Sequence, residues 1–195
     1  MSTLFSPRIF VLLGALLCVS PEARATELGV GKKAPPFKLP TLAEGEVDQS
    51  SLAGMPYVLV IGTSEKPAPQ CKEWMVTLLK NFEGKKTAVY QVVVLNNAWY
   101  IPRFLVIDQI KDFVPAFGYP NVLIEWTFQF ATDYGIPYDH DIRVLVVDPE
   151  GTIRYRHRGN MTDASLVQVI NTVDQYLEPA SAKPIKKSTQ KVTEK

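Results

Sequence analysis

Apolar positions along the 195-residue chain switch between two spacings, and each switch marks the edge of an element. Residues 57–61 (Y-V-L-V-I) form an unbroken β-branched and aromatic run ended by Gly62, the pattern of a strand covered on both faces. From Gln70 the apolar residues recur three and four apart: Cys71, Trp74, Met75, Leu78, Leu79 and Phe82 share one face. That spacing predicts a helix, which Gly84 stops. Residues 88–95 (A-V-Y-Q-V-V-V-L) return to a strand pattern, and strand, helix, strand in this order favours a right-handed parallel crossover.

The aromatic-rich segment that follows predicts a helix over 103–113. Residues 121–126 read as a short strand or covering segment, and F-Q-F-A-T-D-Y-G as a helical turn closed by Gly135. R-V-L-V-V-D, then P-E-G, then T-I-R-Y-R-H-R-G reads as a β-hairpin with Asp148 and Gly151 supplying the turn. Thr162 or Asp163 caps a last helix whose Leu166, Val169, Ile170, Val173 and Leu177 form its apolar face. Ahead of all this, the prolines and glycines of 29–42 make an extended lead-in, and 44–54 a turn with a small strand. The main order is β-α-β-α-β-β-α.

The two ends differ from this body. Residues 1–25 carry a basic start, an apolar run from Ile9 to Ser20 and an A-x-A site at Ala23 to Ala25. They read as a secretory signal peptide cleaved before Thr26, since a dozen apolar residues fall short of a bilayer span. Leu17 before Cys18 argues against lipid attachment. Residues 26–178 make one domain, and 179–195 a disordered basic tail with little to bury. Net charge is +1 over residues 1–25, +4 over 179–195 and −4 between them. No aromatic residues interleave with the tail lysines, so no nucleic-acid partner is expected. The mature protein is expected to be soluble, periplasmic or secreted, and without a transmembrane segment.

With 46% apolar and 21% charged residues the composition is that of an ordinary globular domain. The cysteine count changes the picture more. Once Cys18 leaves with the leader, Cys71 is alone in an oxidising compartment, and an internal disulfide is excluded. A single exported cysteine is a reactive thiol, an intermolecular bond, or a packed and unreachable side chain.

Three phrases in order, G-K-K-A-P-P-F-K-L-P, L-A-G-M-P-Y-V-L-V and V-V-D-P-E-G-T-I-R-Y-R-H-R-G, resemble the thioredoxin-like superfamily, particularly exported redoxins of the TlpA/ResA and AhpC/TSA kind. The resemblance runs from about Gly29 to Leu177. It implies an α/β thioredoxin-like fold, a central mixed β-sheet flanked by helices, and a protein thiol or disulfide as partner. Reductases of this family place C-x-x-C at the start of the first helix, where amides lower the attacking thiol's pKa. The corresponding residues here are A-P-Q-C. Ala68 stands at the nucleophile position and Cys71 at that of the more buried second cysteine, so dithiol exchange within a monomer is ruled out.

The peroxiredoxin pattern P-x-x-x-T-x-x-C finds Ser64 and Ala68 where its proline and threonine belong. The cis-proline position of the family falls on Ile142 or near His140, with Pro137 displaced. Sco-type metal binding needs two cysteines and a histidine, so a soft-metal site is incomplete. No motif asks for a cofactor.

Cys71 is thus the leading candidate catalytic residue. Pro69 at the first helical position, with Lys66 and Lys72 nearby, would lower its pKa; its place on the Trp74, Met75, Leu78 and Phe82 stripe is that of a small packed residue. Asp139-His140-Asp141 is a possible oriented base or cation loop, or a solvated loop. Arg143 stands one position away from where peroxiredoxins keep an arginine. His157, among Arg154, Arg156 and Arg158, is expected on a solvent face, and Asn160-Met161-Thr162 is a glycosylation sequon. Two functional classes follow: a redoxin active through one thiol, and a non-enzymatic binding module using the aromatic insertion 99–117 or the tail.

Overall fold

The computed structural model describes residues 27–96 and 101–177. The signal-peptide, tail and Trp99 readings lie outside them. A short antiparallel pair, β1 (Lys38–Pro40) and β2 (Glu46–Asp48), leads into β3 (Tyr57–Gly62), every residue of which is buried. Then come α1 (Ala68–Asn81), β4 (Ala88–Val94), α2 (Arg103–Phe113), β5 (Val122–Glu125), α3 (Gln129–Asp133), β6 (Arg143–Val147), β7 (Ile153–Arg158) and α4 (Asp163–Asp174).

The main sheet has five strands in the order β5-β4-β3-β6-β7. β3 pairs parallel with β4 (Tyr57 opposite Ala88), and β4 parallel with β5; β6 runs antiparallel to β3 and forms the hairpin with β7. The continuous apolar run therefore sits in the middle of the sheet, where both faces are covered. Residues 121–126 resolve into the edge strand β5, a fifth strand that extends the expected order.

Period-2 alternation divides the core. Leu59 and Ile61 of β3, with Leu145 and Val147 of β6, pack beneath Phe37, Leu52, Phe130 and Tyr134 on one face. Val58, Val60, Val144 and Val146 pack beneath Cys71, Trp74, Met75, Leu78 and Val169 of α1 and α4 on the other. On that second face α2 lies along β5, its Ile107 and Ile110 against Val122 and Ile124.

Local signals are met where chemistry allows. Thr162 caps α4 in a capping box with Ser165. Gly135 closes α3 at φ 64°, and Gly151 takes φ 78° in the β6–β7 turn. One helix start moves: α1 begins at Ala68 with Pro67 as its cap, so Pro69 occupies the second helical position instead of the first. Among the described residues, no helix is long and apolar enough to cross a membrane.

Candidate functional site

β3 ends at the centre of the sheet and hands the chain through residues 62–67 to the N-terminus of α1. This is where a central strand aims a helix end, with its unpaired amides, at whatever binds above the sheet. Cys71 lies on the inward side of that helix. Its backbone N–H donates to the Pro67 carbonyl at 2.9 Å, and its side chain is 1% exposed within the apolar cluster of Val58, Val60, Trp74 and Ile142. A Cβ on Gly62 would stand 3.2 Å from the Cys71 Sγ, so the thiol rests against strand backbone. Burial pushes the thiol up to about 12. The lysines and helix end that the sequence places nearby do not reverse this, because desolvation of the thiolate outweighs them.

The loop is tied to the segment 137–141 across the sheet end. Thr63 Oγ1 accepts from the Asp139 N–H at 3.1 Å, and Ser64 Oγ donates to the Asp139 carbonyl at 2.9 Å. His140 Nδ1 lies 3.0 Å from Ser64 Oγ. No cis peptide bond occurs among the described residues, Pro137 included.

The acids flanking His140 are engaged elsewhere. Arg143, fully buried, meets Asp139 through both of its terminal nitrogens, the Asp141 carbonyl at 2.8 Å and Glu27 Oε1 at 2.9 Å. Arg158 meets Asp141 at 2.6 Å, and Arg156 pairs with Glu27. Burial alone would raise the Asp139 carboxyl; the Arg143 hydrogen bond, the Asp141 N–H and the charges of Arg143 and Arg158 together hold it below the ordinary aspartate value. Asp139 and Asp141 are therefore counter-ions of arginines and do not orient His140 as a base. Arg143 follows Leu145 and Val147 in the alternation of β6 and lies on the sheet face opposite Cys71. It does not reach the thiol.

His157 also departs from expectation. It is half-buried, its ring 5.6 Å from that of Trp74, with Nε2 2.9 Å from the Asn160 carbonyl. Among the described residues no group of three or more His, Cys, Asp or Glu side chains could hold a metal ion.

Between the 62–65 loop, α1, β4 and α2 runs an open groove with about 940 Å³ of empty space. Its walls are mostly apolar: Ala68, Val93, Leu95, Ile101, Ile110 and Phe113. Cys71 touches it from below, and Ser64, Glu65 and Tyr138 stand at its rim. A narrow dip with room for about one water adjoins it along α1, sharing Ala68, Gln91, Phe113 and Val114. Phe104 (64% exposed) and Phe117 (67%) are left uncovered on α2 and the turn after it.

The AhpC/TSA family model matches residues 30–156. The chain belongs to the AhpC/TSA family. Solved structures with the same fold include a protein assigned as the thiol:disulfide interchange protein DsbE from Chlorobium tepidum (23% identity, TM-score 0.59, 75% of this chain and 98% of that one). The thioredoxin domain of a thiol-disulfide oxidoreductase from Bacteroides vulgatus aligns at 18% identity and TM-score 0.52, over 77% and 99%. A peroxiredoxin-like protein from Aquifex aeolicus does so at 19% and 0.54, over 78% and 90%. A comparison with curated protein sequences gives no match. The fold of this AhpC/TSA member is thus thioredoxin-like, a mixed five-stranded sheet flanked by helices, as the three phrases imply.

The structure brings the loop, Ala68 and Cys71 together between β3 and α1, while sequence reasoning passes over two buried polar side chains. Glu125 accepts from the N–H groups of Thr127 (2.6 Å) and Phe130 (2.8 Å) and so holds the start of α3. Gln91, in the groove, was legible as the one polar residue inside A-V-Y-Q-V-V-V-L.

Proposed function

We propose that this AhpC/TSA member is an exported thioredoxin-fold protein that binds a partner instead of turning over thiols. The observation that carries the reading is the division of labour in A-P-Q-C. The position that faces the groove is Ala68, with no nucleophile, and the one thiol among the described residues, Cys71, is buried and held protonated. Nucleophilic attack on a disulfide or peroxide requires an accessible thiolate. What the site keeps is an open apolar groove and the uncovered aromatic residues of α2 and its following turn, the features of a docking site. Export rests on the leader pattern of residues 1–25.

The single-thiol alternative has one point in its favour, that Cys71 borders the groove. Insulin reduction with dithiothreitol and peroxide consumption, run on the protein and on Cys71→Ser, separate the two. Both proteins are expected at the uncatalysed rate; a rate that disappears with Cys71→Ser would overturn the binding reading.

A further inference from the structure

Helix α2 is apolar on two sides. Its inner side packs Ile107 and Ile110 against Val122 and Ile124 of β5. Its outer side carries Ile101, just ahead of the helix, then Phe104 and Leu105, all exposed, followed by Asp108 and Asp112, also exposed. These five positions recur three and four apart and so form one stripe along the helix. A helix lying free on a protein surface keeps one side polar; one that is apolar on both sides is covered on both. Neither aspartate of the stripe makes an ion pair among the described residues. The two bases of the helix are engaged beside it, Arg103 over the Trp126 ring at 4.8 Å and Lys111 over that of Tyr119 at 5.9 Å. The outer stripe is thus apolar at its start and acidic further along.

From this we infer that the outer stripe of α2 docks a cationic amphipathic helix of another protein. The apolar residues of that helix cover Ile101, Phe104 and Leu105, and its lysines or arginines, one to two turns along, meet Asp108 and Asp112. Charge selects this occupant. A second copy of the stripe would set Asp108 and Asp112 against their own counterparts or against the apolar turn, and either arrangement costs free energy. The same two carboxylates repel an anionic lipid surface or a nucleic acid. The chain's own basic tail, 179–195, has the charge, but beyond alanine and proline its apolar residues are only Ile185 and Val192, too little to cover the apolar turn. A cationic amphipathic helix supplies both halves, with apolar anchors at the three- and four-residue spacing that helix recognition uses. The inference deepens the binding reading above by naming its partner class, and rests on it.

Three helical peptides of equal length test it by NMR titration of the purified protein. They share one leucine stripe and differ only at two positions, one and two turns beyond it, which hold lysine, glutamine or glutamate. The lysine peptide is expected to bind about tenfold more tightly than the glutamine one, the worth of two exposed ion pairs, and to shift the backbone amide resonances of α2. The glutamate peptide should bind most weakly, and added salt should narrow the differences. Asp108→Lys with Asp112→Lys should reverse the order, glutamate over lysine. Phe104→Ala with Leu105→Ala, at exposed positions the core does not use, should weaken the lysine peptide at least tenfold. Glu83→Gln with Glu150→Gln, in the α1–β4 and β6–β7 turns, should leave the order and the gap unchanged. Equal binding of the lysine and glutamine peptides, no binding of any peptide, or an equal loss of preference in the Glu83 and Glu150 variant would overturn the inference. So would a dimer that forms without peptide and is lost in the Phe104 and Leu105 variant, since a second copy would then be what covers the stripe. The thiol assays on Cys71→Ser are independent of these titrations, so failure here leaves the non-catalytic reading standing, and failure there is read separately.

Discussion

The burial of Cys71 sets how slowly it can be modified. Raising a thiol from an ordinary 9.0 to about 12 lowers its thiolate fraction at neutral pH about a thousandfold. A more basic thiolate is also a better nucleophile; with a Brønsted slope of about 0.4–0.5 this returns roughly a factor of twenty. Direct attack on the folded protein should therefore be about fiftyfold slower than on a free thiol. The competing route is local opening of the first turn of α1, which exposes a thiol of ordinary pKa; an opening free energy of ~3 kcal/mol slows it by about a hundredfold. Either way, iodoacetamide labelling of Cys71 at pH 7.5, followed on its own peptide by mass spectrometry, should run at least thirtyfold slower than labelling of N-acetylcysteine. In denaturant the two rates should converge. The pH profile distinguishes the routes: direct attack keeps accelerating above pH 9, whereas attack through opening levels off there. A native rate within a few-fold of the free thiol, or a profile that levels off below pH 8, would refute the account of an inert thiol.

Gly62→Ala should destabilise the fold by about 1–2 kcal/mol, because the new methyl meets the Cys71 Sγ at 3.2 Å; adding Cys71→Ala should recover most of that loss in urea melts, and simple additivity would show that the contact is not the cause. Asp139→Asn should cost ~2–3 kcal/mol by leaving the buried Arg143 short of a counter-ion, measured as a lower urea midpoint. Because folding lowers the Asp139 carboxyl below its ordinary 3.8, the stability it adds is complete above that value and disappears as pH falls through the folded one. Acid unfolding should accordingly be less steep below pH 4 in the variant. Thr162→Ala removes the side-chain half of the α4 capping box, the Ser165 N–H to Thr162 Oγ1 hydrogen bond, and should cost about 1 kcal/mol, visible as a lower melting temperature.

The parts of the fold legible in the sequence are those that periodicity controls. The buried run at 57–61, the helical stripe through Cys71 and Phe82 and the hairpin turn at Asp148 each follow from spacing and turn chemistry that need no distant partner. Long-range polar pairing leaves no such trace. Nothing local in Arg143 says that it is neutralised by Glu27, 116 positions away, so D-H-D reads as a solvated loop or a histidine or cation site, and its two aspartates are in fact half of an arginine cluster. His157 was misplaced for a related reason: among three arginines it reads as exposed, and only packing against Trp74 turns its ring inward.

Ala68, which aligns with the attacking cysteine of the C-x-x-C pattern, also shapes the groove. Ala68 lines both hollows; a cysteine there would set a polarisable, ionisable group into a wall otherwise made of Val93, Phe113 and Val114. Once that position is a methyl group, the thiol behind it has nothing to resolve, and its place between Gly62 and Trp74 is decided by packing alone. On the proposed binding reading, one methyl group both leaves this position without a nucleophile and completes an apolar wall. Introducing a thiol by Ala68→Cys should weaken partner binding to the degree that it confers exchange chemistry, read as insulin reduction with dithiothreitol.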